Sequence, residues 1–166
     1  MANEALIAEL EQEASATRRL LERVPEAHLG WRPHARSMSL GQLALHVAMI
    51  PGDLSQLAGL DGLDAAAVSF EPPVPRNADE LLSSLDRSIA SATEFLGKLT
   101  QSQAEAPWRL TLRGQEVFTV PRLGLVRTLM LNHWYHHRGQ LAVYLRLLDI
   151  PVPAVYGRSA DENPFA

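Results

Sequence analysis

The chain has 166 residues, 46% apolar and 20% charged, which suits one domain with a sizeable core. Its net charge of −4 offers no basic surface for nucleic acid or an anionic membrane. With no cysteine, disulfides, thiolate metal sites and cysteine nucleophiles are excluded, and with Lys98 the only lysine a Schiff-base mechanism has little support.

The N-terminus lacks the basic start and unbroken apolar run of a signal peptide. No run of about 18 apolar residues predicts a membrane span. The expectation is a single cytoplasmic domain over 1–166 with no membrane or nucleic-acid partner.

The first predicted helix runs from about Asn3 to Val24, with Leu6, Leu10, Ala14, Thr17, Leu21 and Val24 at helical spacing and Pro25 ending it. Ser39 and Gln42 form a capping-box pattern for a second helix from Leu40 to about Leu60. Its stripe is Leu43, His46, Ile50, Leu54 and Leu57, and Pro51-Gly52 predicts a kink beyond His46. Residues 61–76 form a long connection with three prolines, Pro72, Pro73 and Pro75.

Asn77 is the expected cap of the third helix, with Asp79 and Glu80 near its positive end and Leu82, Leu85, Ile89, Ala92, Leu96 and Leu99 on its seam. The runs 108–112 and 115–119, on either side of Arg113-Gly114, predict a small hairpin. Pro121 suits the start of a fourth helix reaching about Asp149, with a seam of Val126, Met130, His133, His137, Leu141, Tyr144 and Leu148. The fold class is therefore all-α, a four-helix bundle with a short β-hairpin between helices 3 and 4.

His133 and His137, four residues apart, share one helix face with Cβ atoms about 5–6 Å apart. His46 occupies an equivalent seam position on the second helix. A lone seam histidine is more often a hydrogen-bonded core residue than a ligand. Three of them, each costing about 1–3 kcal/mol if buried without a partner, favour one shared metal ion. Three neutral nitrogens suit Zn, Ni, Co, Cu or Fe rather than Ca or Mg. They leave a coordination position open, as catalytic sites do.

Rival motifs fail. Trp134 stands where a zincin needs glutamate, and the fourth helix has no glutamate for a di-iron site. Non-covalent haem between His46 and one of the later pair stays open. His136, on a partly polar stripe, reads as a residue behind the site or at a helix interface, and His28 and His34 as solvated. Asp53, two turns beyond His46, is a candidate acceptor or general base set against an ordinary solvated carboxylate. Ala14, Thr17 and Ala92 are small seam residues that either leave room for a ligand or set helix spacing. Trp134 and Tyr135 read as packing residues.

Gly30-Trp31-Arg32-Pro33, then Ser37 through His46, then His133-Trp134-Tyr135-His136-His137-Arg138-Gly139-Gln140-Leu141 carry a family resemblance, as does the tail Pro151-Val152-Pro153 with Tyr156-Gly157-Arg158-Ser159. Over nearly its whole length the chain resembles the DinB/YfiT-like family. That resemblance implies a four-helix bundle in up-down-down-up order. It also implies a divalent metal, often nickel or zinc, held by His46, His133 and His137, and a homodimer. Members with assigned activity resemble S-transferases and isomerases that use a low-molecular-weight thiol such as mycothiol or bacillithiol.

The expected function is accordingly a metal-dependent, thiol-dependent S-transferase, in which a metal-activated thiolate attacks a small electrophile. The alternatives are a hydrolase using metal-bound hydroxide, a non-catalytic metal- or ligand-binding module, and a metal-free structural bundle. Within the motif, Gly139 either allows close helix approach or is a tolerated glycine, and Arg138 and Gln140 read equally as contacts to substrate or a dimer partner and as solvated or structural residues.

Overall fold

The computed structural model describes residues 2–69 and 71–165. Three helices of equal length lead the fold: α1 (Ala2–Leu21), α2 (Leu40–Gly59) and α3 (Asp79–Lys98). A short α4 (Gln101–Glu105) follows, then strands β2 (Pro107–Leu112) and β3 (Gln115–Pro121). The last helical rod begins as α5 (Arg122–Leu125), passes through a π-helical segment (Val126–Asn132) and continues as α6 (His133–Leu147).

Local chemistry explains most boundaries. The Ser39 hydroxyl accepts from Gln42 N while the Gln42 side chain accepts from Ser39 N, which closes the expected capping box on α2. Asn77 Oδ1 accepts from Glu80 N at 3.0 Å, and the Glu80 carboxylate accepts from Arg76 N at 2.7 Å, so the start of α3 is capped by the expected residue. The hairpin turns on Arg113 (φ 52°) and Gly114 (φ 77°), two consecutive left-handed residues as a two-residue hairpin demands. Asp64 holds that turn by accepting from Arg113 N and Gly114 N at 2.9 and 2.8 Å.

The expected connection over 61–76, of which Phe70 lies outside the described residues, contains structure of its own. β1 (Gly62–Asp64) pairs in parallel with β2, placing Leu63 beside Leu110, and extends the hairpin to three strands in the order β1-β2-β3. The fourth helix also starts later than expected. Pro121 ends β3 and stands just ahead of α5.

Helix α2 runs through Pro51 as one continuous helix. The bonds that a proline removes are replaced from outside. Pro51 has no N–H for the Val47 carbonyl, and Trp134 Nε1 donates to that oxygen at 2.8 Å. Gly52 N is met by Ser88 Oγ of α3 at 2.7 Å. A Cβ on residue 52 would fall 2.9 Å from the Ser88 Cα, so glycine permits this close α2–α3 approach.

The pairing senses follow from side-chain contacts. Asn3 donates to the Leu96 carbonyl at 3.0 Å and Arg18 pairs with Asp86, so α1 and α3 run in opposite senses. Gly52 meets Ser88 and Ser55 meets Ser91, both at an offset of 36 residues, so α2 and α3 run in the same sense. Val47 meets Trp134 and Met38 meets Tyr144, which makes α2 and α6 opposite. Leu10, Leu20, Leu40, Leu43, Ile50, Leu81, Leu85, Leu96, Met130 and Trp134 are fully buried between these helices. Among the described residues, no helix is long and apolar enough to cross a membrane.

Candidate metal centre

The α2–α6 contact sets the site. Antiparallel pairing of α2 and α6 brings His46 against the helical turn that carries His133 and His137. Ring centroids are 5.3 Å apart for His46–His133, 4.6 Å for His46–His137 and 4.5 Å for His133–His137. One ring nitrogen from each histidine lies within 4.8 Å of the others, close enough to grip a single cation. All three rings are half-buried.

The seam read in the sequence holds before His133 and shifts in phase along α6. Val126, Met130 and Leu141 of that seam are fully buried, but within α6 full burial otherwise falls on Trp134 and Leu145, with Arg138 3% exposed, while His133, His137, Tyr144 and Leu148 are only half-buried. The histidine stripe therefore flanks the core instead of forming its centre. That is the placement an accessible ligand set requires. The π-helical segment ends at Asn132, directly before His133. A π turn holds an extra residue, which rotates everything downstream relative to the rod before it, and such turns are frequent at functional sites.

The electrostatics suit cation binding. Burial, followed by the neighbouring His137 and His133, pulls His46 down to about 4. Burial also lowers His133 and His137 from their ordinary value. All three imidazoles are thus held in the neutral form that carries a lone pair. His133 Nδ1 is buried without a hydrogen-bond partner. The Leu129 carbonyl opposes the lowering of His133, but without the geometry of a hydrogen bond to that nitrogen. His137 is better provided for, since its Nδ1 lies 2.8 Å from Gln140 Oε1. Three converging neutral nitrogens, one of them on a ring with an orphaned buried atom, fit a divalent transition metal. The cluster includes no carboxylate or thiolate.

The other expected residues fall elsewhere. Asp53 stands apart from the cluster, seven residues or about 10 Å of helix beyond His46. It lines a cavity of about 420 Å³ between α2 and α3 with Met49, Gln56, Ser84 and Arg87, and desolvation there raises its pKa. His28 and His34 are exposed. Gly139 does not mediate close approach, since it is exposed and a Cβ there would meet nothing within 4 Å.

Arg138 is neither solvated nor free for an outside partner. Its Nη1 pairs with Glu13 Oε2 at 2.5 Å, with both side chains less than a tenth exposed, and its Nη2 bonds the Tyr156 hydroxyl. The guanidinium also packs over the Tyr135 and Tyr156 rings at 5.2 and 5.3 Å. Thr17 Oγ1 lies 3.4 Å from Nη1, so the space beside that small seam residue is occupied by arginine. Only the spacing of Glu13 on the inward face of α1 hinted at this pairing.

Comparison with known proteins agrees with the geometry. The chain is 27% identical over 152 residues to the uncharacterized protein YrdA of Bacillus subtilis (strain 168), covering 92% of this chain and 86% of that one. A crystal structure of a DinB-like protein from Bacillus subtilis superposes with a TM-score of 0.70 at 18% identity, covering 93% of this chain and 99% of the other. One from Bacillus cereus ATCC 10987 gives 0.70 at 22%, covering 92% and 97%. A putative DinB family member from Exiguobacterium sibiricum 255-15 gives 0.65 at 22%, covering 92% and 95%. These likenesses extend the helical architecture with its small sheet to several solved proteins, and the DinB family model matches residues 1–163. With that match spanning nearly its full length, the chain belongs to the DinB family.

Proposed function

We propose that this protein is a divalent-metal-dependent transferase that joins a low-molecular-weight thiol to a small electrophile. The observation that carries the reading is the convergence of His46, His133 and His137 as three neutral donors within 4.8 Å, with no fourth protein ligand in the group. Those three residues would hold the ion, with zinc and nickel the best matches to an all-imidazole set. When bound, such an ion supplies Lewis acidity that brings the pKa of a thiol or a water toward neutrality.

The chain's own residues supply the rest. The half-buried rings leave the cluster open to small molecules, while Trp134 and Arg138 on the inner side fix α6 rigidly behind it. The 420 Å³ cavity along α2 offers Asp53, Arg87 and Gln56 as polar contacts for a substrate, over a floor that includes Ser84 and Ser88. Asp53 is too far along α2 to act at the histidine cluster itself, so its role in this reading is to orient substrate. The absence of cysteine means that the sulfur must enter with the thiol.

The test is conjugation of monochlorobimane by protein loaded with zinc or nickel, using mycothiol, bacillithiol and glutathione in turn. A new S–C bond forms, chloride leaves, and the thiol proton passes to solvent. The expected result is metal-dependent conjugation with at least one thiol, abolished in His137→Ala. Silence with all three thiols in protein shown to be metal-loaded overturns the transferase reading.

A further inference from the structure

We propose that Gln140 is a positioning residue that fixes His137 in its cation-binding tautomer. The proposal rests on the reading that the three histidines share a metal, and its test separates the two. Gln140 Oε1 lies 2.8 Å from His137 Nδ1, and Gln140 Nε2 lies 3.1 Å from His136 Nε2. A primary amide has one sense of action at each end. Its oxygen only accepts and its nitrogen only donates. Oε1 therefore holds the proton on His137 Nδ1 and leaves the lone pair on Nε2. At the other end, Gln140 Nε2 donates to His136 Nε2, which places the His136 proton on Nδ1.

The orientation of the amide decides which nitrogen of His137 keeps its lone pair. A reversed amide would set a donor against His137 Nδ1 and force its proton onto Nε2, the nitrogen needed for a ligand. In the orientation present, the donor end of the amide meets His136 Nε2, which anchors that end. The three groups lie within five residues of α6, at i, i+1 and i+4, so the helix holds the device in register without help from other elements. His136 is exposed and its ring packs edge-on to His137 at 4.9 Å, so it acts from outside the cluster. His133 has no side-chain device of this kind, since its Nδ1 is buried with no hydrogen-bond partner and what acts on the ring is the Leu129 backbone carbonyl. A ligand that is already in the right tautomer and orientation binds a cation more tightly, and loss of such supporting contacts typically costs about 10–100-fold in metal affinity.

The experiment compares wild type with Gln140→Leu, Gln140→Glu and His136→Ala. Zinc affinity is measured by competition with a chromophoric chelator, and imidazole tautomers in the metal-free protein by nitrogen-15 NMR. Wild-type His137 should be in the Nδ1–H form. Gln140→Leu should lose about 10–100-fold in zinc affinity and shift metal-free His137 toward the Nε2–H form, with an unchanged melting temperature. Gln140→Glu keeps an acceptor and should retain affinity within a few-fold, and His136→Ala should fall between. Zinc affinity within twofold of wild type in Gln140→Leu, together with an unchanged tautomer, overturns the proposal. If wild type takes up no zinc, the metal reading fails, and the tautomer measurement still decides on Gln140. Nδ1–H that is lost in Gln140→Leu supports the proposal, and Nε2–H in the wild type overturns it.

Discussion

The two long faces of α6 carry opposite kinds of polar chemistry within one helical turn. The inner face presents Arg138, whose charge is matched by Glu13 and whose remaining donors reach the Glu13 carbonyl, Thr17 and Tyr156. The outer face presents His133 and His137, neutral and lowered in pKa, one of them with an orphaned nitrogen. The inner face has its charge paired, and the outer one, together with His46, presents a group that could hold a metal ion. A buried charge kept with all its partners fastens the helix. Nitrogens kept without theirs are stabilised by a ligand and are what a binding site leaves over.

The sharpest way to break this contrast is to remove an outer-face ring. Protein purified without a His tag should carry about one divalent ion per chain by elemental analysis. His133→Ala should lose it, with an affinity loss beyond the ~10–100-fold that an outer contact costs. Retention of the ion at wild-type affinity would show that the three rings do not share it. The melting temperature of the metal-free variant should fall less than that of any variant that breaks the inner face.

On that inner face, Glu13→Ala leaves the Arg138 guanidinium buried and uncompensated. A cost of about 3–5 kcal/mol is expected for removing one member of such a pair. At roughly 2–4 °C per kcal/mol for a chain of this size, the melting temperature should drop by about 10 °C. A paired replacement, Glu13→Leu with Arg138→Met, removes both charges and should recover most of the loss. A drop in Glu13→Ala of only 1–2 °C would mean that water reaches the arginine.

What the sequence made legible follows the same division between local and distant partners. The capping box at Ser39–Gln42, the cap at Asn77 and the turn at Arg113-Gly114 were readable because each is closed within a few residues. β1 was not, because three residues carry no period and its pairing comes from β2, 47 residues away at Gly62–Arg109. The π-helical segment left no mark in composition, and beyond it the buried stripe of α6 moves onto Trp134 and Arg138 while Val126, Met130 and Leu141 stay buried as the seam predicted. The histidines themselves stood out because imidazoles in an apolar pattern are conspicuous. Arg138 was left between a structural and a contact role because Glu13 lies 125 residues upstream and Tyr156 18 residues downstream. Gln140 was visible at i+3 from His137, but sequence spacing cannot tell a contact within the helix from one with a substrate.

Trp134 joins the two faces to α2, and its contribution should be smaller than that of the ion pair. Its Nε1 donates to the Val47 carbonyl that Pro51 leaves unserved. Trp134→Phe keeps most of the apolar volume and orphans a buried carbonyl, at about 1–3 kcal/mol. Combining it with Pro51→Ala restores an N–H at residue 51 for Val47 and should offset part of that cost. If the double variant is no more stable than Trp134→Phe alone, the indole matters for packing and not for the hydrogen bond.

The smallest effect is expected at Gly139, which separates Arg138 on the inner face from Gln140 on the outer. Glycine within a helix costs up to about 1 kcal/mol relative to alanine. In the isolated chain nothing lies within 4 Å of a Cβ at this position, so Gly139→Ala should raise the melting temperature by a few degrees and leave both the ion pair and the zinc affinity unchanged. A fall instead of a rise would show that another surface lies against this point of α6 in solution. If that surface belongs to a second copy of the chain, the fall should come with a shift from dimer toward monomer in sedimentation velocity. Gly139 would then serve a contact between chains, although it serves none within one.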